Sequence, residues 1–173
     1  LSSSGAPPTP PLASSSREFR VLYLFAGKPR RADIKAEVTK LAAATDMQVK
    51  VEEIDICRGP HNDMLDERVF NIYLYKLKQH HYDLAIVTPP CNTWSRARCN
   101  RGSGPPPLRS RSFPWGFPWL EGVRKDKIDA ANILMRRSIE VMKLCGELQI
   151  PFLFEFPEDL GDSRDMSPAS AWQ

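Results

Sequence analysis

DLAIVTPPCNTWSRAR, from Asp83 to Arg98, decides the fold. Leu84, Ala85, Ile86 and Val87 are apolar on consecutive rather than alternate positions, the pattern of a strand covered on both faces in a parallel sheet. Pro89 and Pro90 fix φ and remove backbone donors, so the strand ends there and Cys91 is held rigidly at its tip.

Three other runs read the same way. RVLYLFA (20–26) is a short apolar stretch bounded by a polar leader and by Gly27; VKVEEIDI (49–56) alternates; PFLFEFP (151–157) is stopped by Pro157. Helical periodicity lies between them. ADIKAEVTKLAAA sets Ile34, Val38, Leu41 and Ala42 on one face; NDMLDERVFNIYLYKLKQ opens on Asp63-x-x-Asp66 and aligns Leu65, Val69, Ile72, Tyr73 and Leu77. DAANILMRRSIEVMKLCGEL offers Ala131, Leu134, Val141, Leu144, Cys145 and Leu148. Strands alternating with helices predict an α/β fold, a mostly parallel sheet with helices on both faces and ligands beyond the C-terminal strand ends. The four ends, at Ala26-Gly27, Asp55-Ile56, Thr88 to Cys91 and Glu155-Phe156, converge on one edge.

The remaining features bound the function class. At 173 residues with 42% hydrophobic and 26% charged residues, one domain is expected, spanning 18–173 and incomplete at its C-terminus. Residues 1–17, LSSSGAPPTPPLASSSR, read as a disordered Pro/Ser-rich leader. With no apolar run of about 18 residues and no basic-then-apolar N-terminus, neither a membrane partner nor a secretory signal is supported, and an intracellular protein is expected. Four cysteines (Cys57, Cys91, Cys99, Cys145) without a CxxC pair argue for reduced thiols and against a metal site. His61, His80 and His81 have no ligand spacing.

Charge gathers in a basic, Pro/Trp-rich loop over 96–125. Between Arg96 and Lys127, eight basic residues (Arg96, Arg98, Arg101, Arg109, Arg111, Arg124, Lys125, Lys127) face only Glu121 and Asp126, in a chain of net charge +3. Such an excess is either a polyanion-facing loop, with Arg96, Arg98, Arg101, Arg109 and Arg111 on phosphates, or a solvated surface. Trp94, Phe113, Trp115, Phe117 and Trp119 are suited to stacking on bases or, the favoured reading, to packing as a lid on their own domain.

Cys91 is the candidate nucleophile, thiolate being the reactive form; its alternative is a small buried hydrophobe. Glu155, between Phe154 and Phe156, is a carboxyl in apolar surroundings that would hold a proton and donate it to a ring nitrogen, or else a strand-end residue facing water. Asp55 ends the second strand, where doubly wound sheets place an acid against ribose hydroxyls, and reads equally well as a turn residue. Asp63 suits a nucleobase amine or a helix cap.

Together, YLFAG after a first strand, an acid ending the second, TPPCNTWS and FLFEFP look like the cytosine-5 DNA methyltransferase family over about 20–161, most closely its divergent, short members. The resemblance implies a Rossmann-like S-adenosylmethionine-dependent methyltransferase fold. It implies that Cys91 attacks C6 of cytosine, that Glu155 contacts N3, and that Phe25, Gly27, Asp55, Asp63 and Pro89 hold S-adenosylmethionine. The partner it implies is DNA, or RNA, with the target base flipped from its stack. FAGKPRRADI carries Gly27 alone where the family has two glycines, and its arginines suit a carboxylate or a phosphate. Two other readings are a degenerate nucleic-acid-binding relative and a different nucleotide-processing enzyme, such as a glycosyl-transfer enzyme using Glu155.

Overall fold

The computed structural model describes residues 17–45, 47–95, 98, 104–159 and 169–172. Within them the order is β1 (Phe19–Leu24), α1 (Ile34–Ala44), β2 (Val49–Ile54), α2 (Glu67–Lys78), β3 (Leu84–Val87), α3 (Gly122–Glu147) and β4 (Phe152–Phe154), with two 3-10 turns, Ile56–Arg58 and Pro60–Asn62, before α2. The strands form one sheet in the order β2-β1-β3-β4. All three pairings are parallel. The chain is therefore α/β, compatible with a Rossmann-like fold. Strand order reverses between β1 and β3, the switch point at which open parallel sheets present a crevice.

Why the central strands read as continuous apolar runs is plain from their two faces. Leu22, Leu24, Ala85 and Val87 pack with α2 (Phe70, Tyr73, Leu74, Leu77) and α3 (Val141, Cys145). Val21, Tyr23, Ile86 and Val51 pack on the opposite face, with Val38 of α1 against them. Helices thus cover both faces, α2 and α3 on one and α1 on the other. Leu22, Leu24 and Val87 are fully buried, each burial worth roughly 1.5–3 kcal/mol. The edge strand β4 is less covered: Phe152 is 40% and Leu153 60% exposed.

Two helix faces differ from the sequence expectation. On α1 only Ala42 is buried, with Val38 packed and Leu41 67% exposed, because a single helix over β1 and β2 buries a stripe centred on Val38 and Ala42. Leu41 lies about 80° of helical rotation from that stripe. On α2 the buried face is Phe70, Tyr73, Leu74 and Leu77, leaving Ile72 exposed, while Leu65 precedes the helix and is exposed. Asp66, rather than Asp63, caps α2 by accepting from the Arg68 amide at 2.8 Å, so the helix starts three residues later than Asp63-x-x-Asp66 suggested. Helix α3 begins at Gly122, seven residues before the apolar periodicity is evident, and buries Ile128 and Met135 as well. Among the described residues, no helix is long and apolar enough to cross a membrane.

Candidate active site at the Cys91 cleft

A cleft of about 460 Å3 opens at the C-terminal ends of β1, β3 and β4, beside the switch point. Its lining includes Phe25 and Gly27 after β1, Pro89 and Cys91 after β3, and Glu155 after β4. Cys91 and Glu155, placed 64 residues apart by sequence, therefore share one cavity at one rim of the sheet.

Each group has a local cause. After β1 the chain turns sharply: Phe25, buried and non-glycine, has φ 64°, and Gly27 has φ 69°. A left-handed phenylalanine costs on the order of 1 kcal/mol or more, and such strain concentrates at functional sites. Amides of Phe25 and Ala26 both donate to the Ile54 carbonyl, at 2.7 and 3.3 Å, holding the turn to the end of β2. After β3, the Thr88 hydroxyl donates to the Phe25 carbonyl at 3.1 Å, tying the two loops together. Pro89 is buried and Pro90 exposed, so Cys91 leaves the sheet along a fixed path. The Cys91 carbonyl then accepts from Trp94 (2.8 Å) and Ser95 (2.9 Å), closing a tight turn. The thiol is half-buried and free.

Glu155 follows β4, its amide donating to Val87 at 3.1 Å and so continuing the β3–β4 register by one residue. Phe156 is buried and packs edge-on to Trp94 at 5.8 Å. Strand alternation then puts Glu155 on the other side, towards the cleft. The apolar enclosure suggested by its phenylalanine neighbours is absent, because Glu155 itself is exposed. Arg30 is the cleft's cation, and its guanidinium has no hydrogen bond or ion pair among the described residues.

The acids behave differently. Asp55 accepts from the Gly27 amide at 2.9 Å with Oδ2 and from the Cys57 amide at 2.8 Å with Oδ1. Arg58 closes the other side of that loop, donating to the Gly27 carbonyl at 2.9 Å while pairing with both oxygens of Glu53 at 2.8 and 3.0 Å. Asp63 accepts from the Leu65 amide at 2.9 Å. Neither Asp55 nor Asp63 lines the cleft. Of the five residues expected to hold S-adenosylmethionine, Phe25, Gly27 and Pro89 line the cleft, Asp55 borders it through its bond to the Gly27 amide, and Asp63 is engaged by the Leu65 amide. The Gly27 amide, at the edge of the cleft, is bonded to Asp55.

The basic loop is spent largely on the protein itself. Arg109 is 2% exposed, which removes it from any phosphate. It stacks on the Trp94 ring at 3.7 Å and donates to Thr93 Oγ1 (2.8 Å), the Pro114 carbonyl (2.7 Å) and Asn132 of α3 (3.1 Å). Burial pushes its guanidinium down to about 9. Arg109 is thus a strut between the Cys91 turn and α3. Nothing in its spacing separates it from the seven other basic residues, so sequence reasoning placed it with them on phosphates and missed the strut; Arg58 was not singled out at all. Arg98 donates to the carbonyls of Asn92 and Pro106, and Arg111 pairs with Asp159 at 3.7 Å. Lys125 is bonded to Asp129, leaving Arg124 and Lys127 beside Glu121 and Asp126. Arg96, Arg101 and Cys99 lie outside the described residues.

The aromatic run divides as well. Trp94 and Phe117 are buried, and Gly116 at φ 112° lets the loop lie on Ile128 of α3, where a Cβ would sit 2.6 Å from Cγ2. Phe113, Trp115 and Trp119 are 37%, 47% and 63% exposed. The chain matches no family model, and no curated protein and no solved structure is detectably similar to it.

Proposed function

We propose that the cleft is a covalent-catalysis site of the kind the cytosine-5 methyltransferase resemblance implies, acting on a cytosine base in nucleic acid. The observation carrying this reading is that Cys91 and Glu155 line the same cavity at the C-terminal rim of a parallel sheet. Cytosine C5 is unreactive until a nucleophile adds at C6. Sulfur of Cys91 adds there, the ring electrons move to C5, and Glu155 at N3 stabilises the adduct as acid or hydrogen-bond partner. A volume of about 460 Å3 accommodates one small ligand such as a base. A methyl donor, S-adenosylmethionine in the resembled family, would supply the group transferred to C5. No step is assigned to that donor.

Donor-free exchange tests the proposal directly. An adduct at C6 protonates at C5 from solvent, and its reversal releases the original C5 hydrogen to water. Incubating the protein with single-stranded oligonucleotide tritiated at cytosine C5 should give tritium release that vanishes in Cys91→Ser and slows in Glu155→Gln. Release at equal rates from Cys91→Ser, or none from the parent chain, overturns the reading. A second reading, a binding domain that kept the sheet and lost transfer, is favoured by the bonded Gly27 amide and the engaged Asp55. It predicts nucleic-acid binding without exchange.

A further inference from the structure

Far from the Cys91 cleft, towards the N-terminal end of the strands, a second hollow of about 380 Å3 is lined by Arg20, Lys50, Glu52, Lys76, His81 and Tyr82. Three of these are cations and one is an acid. In the β1–β2 register Arg20 stands directly opposite Lys50, and Leu22 opposite Glu52, so two like charges meet at the mouth of the hollow. Like charges directly opposed across a strand pair repel and lower stability unless something between them is negative.

The one acid of the hollow does not fill that role. Both oxygens of Glu52 are engaged: Oε1 accepts from Lys76 at 2.7 Å and Oε2 from the Tyr82 hydroxyl at 2.5 Å. Beyond the hollow, Glu18 reaches only Nε of Arg20, at 3.3 Å, and Asp83 accepts from the Arg20 amide at 2.8 Å and from Arg17. His81 is 3.3 Å from Arg20 Nη1 through Nδ1; a guanidinium only donates, so Nδ1 accepts and the ring brings no negative charge. The Lys50 side chain, exposed on its strand, makes no ion pair or hydrogen bond among the described residues. Arg20 is thus paired with Glu18 through Nε alone, Lys76 with Glu52, and Lys50 with nothing among the described residues; an Arg–Lys pair on adjacent strands whose lysine has no acidic partner, beside a histidine in one concavity, has the chemistry of an anion site.

We propose that this hollow binds a phosphate-type anion, with Arg20 and Lys50 as its principal grips. The site is independent of the Cys91 reading, lying at the other end of the strands and using none of the same residues. Its ligand is either a free phosphate or diphosphate, or a phosphodiester of a nucleic acid, since both present the same oxygens.

Calorimetric titration of the full chain at low salt, with inorganic phosphate, pyrophosphate and a ten-nucleotide single-stranded oligonucleotide, tests the proposal. Pyrophosphate should bind, and Lys50→Glu should weaken it at least about ten-fold, the equivalent of about 1.4 kcal/mol. Lys50→Ala should weaken it less, and Cys91→Ser not at all. Lys50 is exposed, so circular dichroism of its variants should match the parent chain. Displacement of the oligonucleotide by pyrophosphate assigns the site to a phosphodiester; pyrophosphate binding without such displacement assigns it to a free anion. Absence of heat for every anion at millimolar concentration, or equal pyrophosphate affinity in Lys50→Glu and the parent chain, overturns the proposal.

Discussion

The two ends of the sheet are built by different means. At the C-terminal rim, backbone that has left the ladder carries the candidate groups: a left-handed Phe25, a proline-fixed Cys91 turn and Glu155 one residue past β4. At the N-terminal rim the groups sit on the strands and helices themselves, Arg20 against Lys50 by register and Lys76 on α2 against Glu52. The difference teaches that loops at strand ends can aim one reactive atom, whereas registered strands can only hold a fixed field of charge. Chemistry is expected at the first and binding at the second.

Cys91→Ser should separate the rims most completely. It should abolish cytosine C5 exchange, a loss of at least about a hundred-fold in a tritium-release assay, and leave pyrophosphate affinity untouched. Loss at both rims would mean that the ends are coupled.

Leu22→Ala serves as the opposite control. Leu22 is fully buried midway along β1, between the two rims, and its truncation should cost about 2–5 kcal/mol in denaturant unfolding while shifting both activities only through the folded fraction. A smaller cost would show that the site collapses around the deleted methyls.

Arg109→Ala should perturb only the C-terminal rim. Losing the Trp94 stack and the bonds to Thr93, Pro114 and Asn132 should cost about 2–3 kcal/mol and loosen the Cys91 turn. Alkylation by iodoacetamide, followed by mass spectrometry, should then accelerate at Cys91 by several-fold, with exposed Cys57 in the same molecule as the reference. Equal change at both thiols would indicate general unfolding instead.

The smallest effect belongs to Glu52 and appears as pH dependence. Burial raises its carboxyl, but hydrogen bonds from Lys76 and Tyr82 together outweigh that and hold it below the usual range. A carboxylate lowered by folding adds stability that is present above its unfolded value, near 4.5, and is lost as pH falls through its lower folded value. Thermal unfolding should therefore show a Glu52-dependent decline below about pH 4.5 that is absent in Glu52→Gln. An unchanged acid limb in that variant would remove Glu52 from the account. Tyr73 in the same neighbourhood is pushed up to about 12, by burial first and then by the nearby Glu52 charge.

How legible the molecule was differs by level. β1, β3 and β4 were evident from apolar runs and β2 from alternation; in the two central strands Val21 to Leu24 and Ala85 to Val87 are buried on consecutive positions, which only a doubly covered strand permits. The Cys91 end was legible too, since two prolines dictate a stop whatever surrounds them. Helix faces were read less well: Leu41 and Ile72 are apolar yet exposed, because which stripe is buried depends on how many helices share a sheet face. For Glu155 the sequence left an apolar enclosure and a water-facing strand end both open, as flanking phenylalanines say nothing about where alternation sends the residue between them; it is exposed.

By itself, then, the sequence determined the alternation of strands and helices, the parallel sheet and the edge at which its loops would gather, all from local sterics and hydrophobic periodicity. Only the tertiary structure decided the use of charge. Arg109, Arg111 and Arg124 are alike in a string of letters, yet one is a buried strut, one is paired with Asp159 and one is exposed. Likewise Arg20 and Lys50, thirty residues apart, become neighbours through the β1–β2 register. The reason is physical: a side chain's apolar character acts wherever it is buried, but the effect of a charge is set by the distance and solvent between it and its partners, which no local pattern specifies.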